Sequence, residues 1–193
     1  MPIADAIHFF QRPCPAGWIY PCSLEDIISS LARLPKQDLE GLWAVGLVPA
    51  TRRDEDADGR YYFGTQPTIH IFSYLSNLRF KMKAHTKLSD IESGLAVNRE
   101  YGMTIERQGS RYICKWSAED LRRFVVEFVL LHEVGHHVQF RERQQQGLPY
   151  RANAAGREQF ADDYALRWRN TNPTSCSGRG AYNASIPRSI SQG

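Results

Sequence analysis

Apolar residues recur at helical spacing along one long stretch of the chain. Leu121, Phe124, Val125, Phe128, Leu131, Val134 and Val138 follow the rhythm of a helix with one buried face. Ser117-Ala118-Glu119-Asp120 just before it has the form of a capping box with an acidic first turn. The pattern turns polar at Gln139-Phe140-Arg141-Glu142-Arg143 and stops near Gly147 and Pro149, so a helix is predicted over 118–146. A second capping box, Ser23-Leu24-Glu25-Asp26, opens a shorter helix that buries Ile27, Ile28, Leu31 and Leu34 and ends before Pro35. Gly156 to Ala165 reads as another helix. Glu158, Ala161, Asp162 and Ala165 share one of its faces, and Phe160, Tyr164 and Trp168 share another.

Strand patterns fill the space between the helices. Trp43 to Val48 is a short apolar run, as in a buried strand. Tyr61-Tyr62-Phe63 and Thr68 to Phe72 read as two more strands, with Pro67 at an edge or a strand start. His70 on the second of these is half-buried in the plain reading and faces a cleft in the alternative. Thr51 to Gly59 is a charged segment with a turn signal at Asp58-Gly59. It lacks the calcium-loop pattern, so it reads as a solvated loop. Leu78 to Lys87 alternates apolar and basic residues, as expected of a half-exposed strand, with nucleic-acid contact as the alternative. Tyr101–Glu106 and Arg111–Trp116 flank Gln108-Gly109-Ser110, a hairpin signal. Residues 1–22 read as irregular because Pro2, Pro13, Pro15 and Pro21 interrupt them, and 88–100 give no assignment.

Composition narrows the class. The chain has 193 residues, which suits one domain. The formal charge of +3 demands no nucleic-acid or membrane partner. No apolar run approaches the roughly 18 residues of a spanning helix, and the N-terminus lacks the form of a signal peptide. Cys14, Cys22, Cys114 and Cys176 show no metal-type spacing. Reduced thiols in a cytoplasmic protein are the simplest account, with a Cys14–Cys22 bridge as the alternative. After Asp163 the chain has no acidic residue, and 171–193 are rich in Ser, Gly, Asn and Pro. One domain over 1–170 with a flexible tail is therefore expected.

The chemistry sits inside the long helix. His132-Glu133-Val134-Gly135-His136 places two imidazoles one turn apart on the apolar stripe, with Glu133 turned aside from both. That spacing suits two nitrogen ligands for one zinc ion per chain, with a carboxylate placed to take a proton from a polarised water. Glu158 on the following helix is the candidate third ligand. Asp162, one turn later, is positioned to accept the free ring N–H of a ligand histidine.

His132-Glu133-x-x-His136 followed by Glu158-x-x-Ala161-Asp162 resembles the gluzincin signature of zinc metallopeptidases. The short segment between the ligand helices is similar to that of the compact minigluzincins and of the ImmA/IrrE-type bacterial proteases. The resemblance spans roughly 117–170. It implies a zincin-like α+β fold, in which a twisted, mostly antiparallel sheet of four or five strands packs on helix 118–146 and Glu158's helix completes the site. It implies an endopeptidase with His132, His136 and Glu158 on zinc, Glu133 as general base and Asp162 behind a histidine. It also implies an edge strand beside the metal, either 68–72 or the later hairpin. Where many gluzincins carry a downstream histidine, this chain has none after His137. Tyr150 matches the place of an electrophilic tyrosine in some members, with Arg151 and Tyr182 as weaker stand-ins. Cys176 in the tail is a candidate inhibitory thiolate. The alternative function is a regulatory or interaction protein, linked to DNA or a repressor, that keeps zinc as a staple and cleaves nothing.

Overall fold

A computed structural model describes residues 7–52, 54, 57–83, 95–109, 111–150 and 154–171. The protein is a mixed α+β structure. Its strands are β1 (His8–Gln11), β2 (Trp18–Ile19), β3 (Ala44–Val48), β4 (Gly59–Tyr62), β5 (Thr68–Phe72), β6 (Tyr74–Leu75), β7 (Arg79–Lys83), β8 (Thr104–Gln108) and β9 (Arg111–Lys115). Its helices are α1 (Leu24–Leu31), α2 (Lys36–Leu39), α3 (Ala96–Glu100), α4 (Ala118–Phe124), α5 (Leu130–Gln145) and α6 (Ala154–Thr171). A π-helical segment, Val125–Val129, joins α4 to α5 without a break.

The expected single, mostly antiparallel sheet is corrected. Among the described residues three small sheets form: β1-β3-β5-β4, β2-β6 and β7-β9-β8. In the largest, β1–β3 and β3–β5 run parallel and only β4 is antiparallel. The chain reaches β3 from β1 through α1 and α2, a crossover that returns it in the same direction. Every residue of β3 is buried, as fits the interior of a parallel region. Residues 1–22 were expected to be irregular, yet β1 and β2 lie within them. At four and two residues they are too short to show a period between the flanking prolines. The short α3 falls in the unassigned stretch 88–100.

The core joins one face of the large sheet to the long helix. Val45, Leu47, Ile69, Ile71 and Tyr61 meet Leu121, Val125, Leu130, Leu131 and Val134 in one buried cluster. Both N-caps anticipated at Ser117 and Ser23 are present. The Asp26 N–H donates to Ser23 Oγ (3.2 Å) and Asp26 Oδ2 accepts the Ser23 N–H (3.0 Å), a complete box. At Ser117, Oγ accepts the Asp120 N–H at 3.1 Å. Asp26 also holds the Arg122 guanidinium, tying α1 to α4. That hydrogen bond keeps its carboxyl low, at about 2. Helix α5 ends before Gly147, whose φ of +69° suits glycine at a helix exit.

Helices α5 and α6 pack closely because their facing residues are small. A Cβ on Gly135 would lie 2.8 Å from the Ala161 Cα and 3.0 Å from the Tyr164 Cβ. Ala161 and Ala165 are fully buried in this contact, the expected small-residue face. Cys14 is exposed, Cys22 is buried, and no disulfide joins them. Among the described residues no helix is long and apolar enough to cross a membrane. Residues 84–87, Arg151, Cys176, Tyr182 and the tail beyond 171 lie outside the described residues.

Candidate metal centre

The close α5–α6 contact brings the three anticipated ligands together. Glu158 Oε2 lies 3.4 Å from His132 Nε2 and 3.5 Å from His136 Nε2. One donor atom from each of His132, His136 and Glu158 falls within 4.8 Å of the others. The two imidazoles stand edge to face, 4.7 Å between centroids and 88° apart in plane. Four ligands set tetrahedrally about 2.0–2.1 Å from zinc lie roughly 3.3 Å from one another. The two nitrogen–oxygen separations are close to that spacing, and the donor set of two imidazoles and a carboxylate is one that zinc accepts. The residues fit the ion.

Asp162 sits where it was expected. His132 Nδ1–H donates to Asp162 Oδ1 at 2.8 Å, which fixes the tautomer and leaves the Nε2 lone pair facing Glu158. Burial works against charge on His132, but the Asp162 hydrogen bond and the nearby carboxylates outweigh it and raise its pKa. Burial pushes His136 the other way, to about 4, and the positive charge of His132 and Arg157 adds to the effect. A neutral His136 is the form that binds a metal. The Glu158 side chain is 59% exposed, so the cluster is open on that side.

Glu133 is buried beside the ligands, and burial pushes its carboxyl up to about 7. The Tyr61 backbone N–H donates to this carboxylate, so β4 holds it from the opposite wall. Strand β4 comes this near because position 59 is glycine. A Cβ there would lie 3.0 Å from Val129 Cγ1 and 3.2 Å from Glu133 Cγ. The strand beside the cluster is therefore β4, the end strand of its sheet among the described residues. Neither expected candidate fills that place. The strand β5 is interior, between β3 and β4, and the β8–β9 hairpin belongs to another sheet. His70 is half-buried on β5, in ring contact with Phe10 and Tyr62, as in its plain reading.

In the segment before β4, expected from its charges as a solvated loop, Arg52 is exposed but Asp54 and Asp58 are paired inside the protein. Asp54 is buried; its Oδ2 accepts from the Thr51 N–H at 3.2 Å, and Arg60 pairs with its Oδ1 at 2.9 Å. Asp58 accepts from the Tyr74 hydroxyl, and burial raises its pKa. Counting charges along the sequence does not detect such pairing, because Arg60 lies on β4 and Tyr74 on β6.

A cleft of about 460 Å³ opens over the cluster. Its walls include Gly59, Arg60, Tyr61 and Phe63 from the β4 side, Phe124 and Phe128 from the long helix, and Tyr150 and Arg157 near α6. Tyr150 lines this cleft, as anticipated. Burial raises the pKa of its phenol, so it stays a donor. Sequence reasoning passed over Arg157. Its guanidinium lies 5.0 Å from the centre of the Tyr150 ring and donates to the Tyr150 carbonyl at 3.3 Å. Adjacency to Glu158 was the available signal.

His137 was passed over as well. It is fully buried, and its Nε2–H donates to the Glu40 carbonyl at 3.0 Å while Nδ1 accepts the Tyr61 hydroxyl at 3.2 Å. It thereby clamps α5 to β4 and to the turn after α2. Burial holds its pKa down to about 4. The unfolded chain, titrating near 6.5, takes up this proton first, so stability present above about pH 6.5 is lost as pH falls toward 4. Between pH 7 and 4 the wild type should lose up to about 3 kcal/mol more than His137→Gln. Thermal melts of both proteins across that range check this; parallel curves would contradict it.

Comparison of the chain with protein-family profiles, with characterised proteins and with solved structures gives no significant match.

Proposed function

We propose that the protein is a zinc-dependent endopeptidase of the gluzincin type, with His132, His136 and Glu158 as its metal ligands. The observation that carries this reading is the convergence of the three donor atoms beside a buried Glu133, under an open cleft. Bound zinc would supply Lewis acidity, lowering the pKa of a water toward roughly 7 and polarising the scissile carbonyl. Glu133 takes the proton of the attacking water and delivers it to the leaving amine. Its raised pKa suits both halves of that exchange, because a weakly basic carboxylate would hold the proton too loosely to pass it on. The Tyr61 N–H keeps the carboxylate aimed. Asp162 keeps His132 in its ligating tautomer. The Tyr150 hydroxyl and the Arg157 guanidinium stabilise negative charge developing on the carbonyl oxygen. An extended peptide lies along the outer edge of β4, and apolar side chains meet Phe63, Phe124 and Phe128.

The alternative, a zinc staple in a regulatory protein, is less well supported. Staple sites are closed by four protein ligands, whereas among the described residues three donors converge here and Glu158 is largely exposed. A protein or peptide substrate and a cytoplasmic setting go with the proposal. Its test is casein cleavage by the purified protein before chelation, after chelation, and after zinc is restored. Loss followed by recovery is expected. A zinc-loaded protein that never cleaves would favour the staple.

A further inference from the structure

The two ligand histidines are supported unequally. His132 has Asp162 behind its ring, whereas His136 Nδ1 is buried and has no hydrogen-bond partner. A second buried atom without a partner lies on the same helix: Gln139 Oε1, three residues on. Residues three apart on a helix are surface neighbours, and side chains lean toward the helix N-terminus. The Gln139 side chain therefore extends back over the turn that carries His136. The two atoms are complementary. With Nε2 turned to Glu158, the proton of a neutral His136 sits on Nδ1, a donor, and Oε1 is an acceptor. Leaving both buried and unpaired costs free energy that a hydrogen bond between them would recover.

We infer that Gln139 is the positioning residue of His136: its Oε1 accepts the Nδ1–H and holds the ring with Nε2 toward the metal. It does for His136 what Asp162 does for His132, with a neutral acceptor in place of a charged one. The arrangement rests on the proposed metal site and concerns how that site is oriented. An uncharged acceptor on the second histidine also limits the negative charge already crowded there by Glu133, Glu158 and Asp162.

The test is zinc affinity, measured by competition with a chromogenic chelator on the full chain. Gln139→Met keeps the length and volume of the side chain and removes the acceptor. Its zinc affinity should fall about 10- to 100-fold, the usual loss when such a support is removed. Gln139→Glu restores an acceptor and should bind at least as tightly as wild type. In nitrogen-15 spectra of the zinc-loaded wild type, the His136 Nδ1–H should be protected from exchange, and that protection should disappear in Gln139→Met. Wild-type zinc binding by Gln139→Met, or equal weakening by Gln139→Glu, would overturn the inference and leave the metal site standing. A wild-type chain that binds no zinc would overturn the metal site and this inference together.

Discussion

Glu133→Gln should lower peptide hydrolysis by about 10²–10⁴-fold while zinc stays bound, since glutamine keeps the shape of the side chain but cannot take the proton. The same variant should be more stable than wild type in the metal-free protein at alkaline pH. Burial holds the Glu133 carboxyl at about 7, well above its ordinary value. The folded state therefore retains that proton longer than the unfolded chain, and stability is lost as pH rises through about 7. Glutamine has no charge to bury, so it escapes a cost of up to about 3 kcal/mol at pH 8. The advantage should vanish below about pH 4.5, where both states are protonated. Hydrolysis and bound zinc at pH 8, with melting of the metal-free proteins at pH 4 and pH 8, check all three statements. Undiminished turnover would remove Glu133 from the reaction.

Gly135→Ala should damage the site from a position that touches no ligand atom. The new Cβ would sit 2.8 Å from the Ala161 Cα, which is backbone and cannot swing aside. Alanine favours a helix over glycine by about 1 kcal/mol, but overpacking a close contact costs about 1–3 kcal/mol, so the clash should win. Helix α6 then moves away as a unit and takes Glu158 and Asp162 with it. A melting temperature lower by several degrees is expected, with zinc affinity reduced ten- to a hundredfold. Hydrolysis should fall with zinc occupancy, the opposite of Glu133→Gln, where zinc stays and hydrolysis goes. An unchanged melting temperature and zinc affinity would show that the helices tolerate the extra carbon.

The parts legible in the sequence were those whose signal is local. His132, Glu133 and His136 share one helix, so 3.6-residue geometry alone relates them. Glu158 and Asp162 followed because they lie one turn apart on a face of small residues, and the two N-caps were read directly from Ser23 and Ser117. Features set by contacts between distant segments were hidden. Strand β1 is four residues between prolines and owes its existence to pairing with β3. The edge strand beside Glu133 was misplaced because Gly59 read as a turn, when its missing side chain is what lets β4 approach the helix. The π-helical segment Val125–Val129, which apolar spacing does not signal, lies just before His132; Phe124 stacks on Phe128, and Phe128 meets His132. His137 was passed over, since its partners Glu40 and Tyr61 are far away in the chain.

The most direct measurement is elemental analysis of the purified wild-type protein beside Glu158→Ala. One zinc per wild-type chain, retained through dialysis and lost or greatly weakened in the variant, is the predicted result. A wild-type protein with no bound zinc, or a Glu158→Ala protein that holds it as tightly, would contradict the three-ligand site.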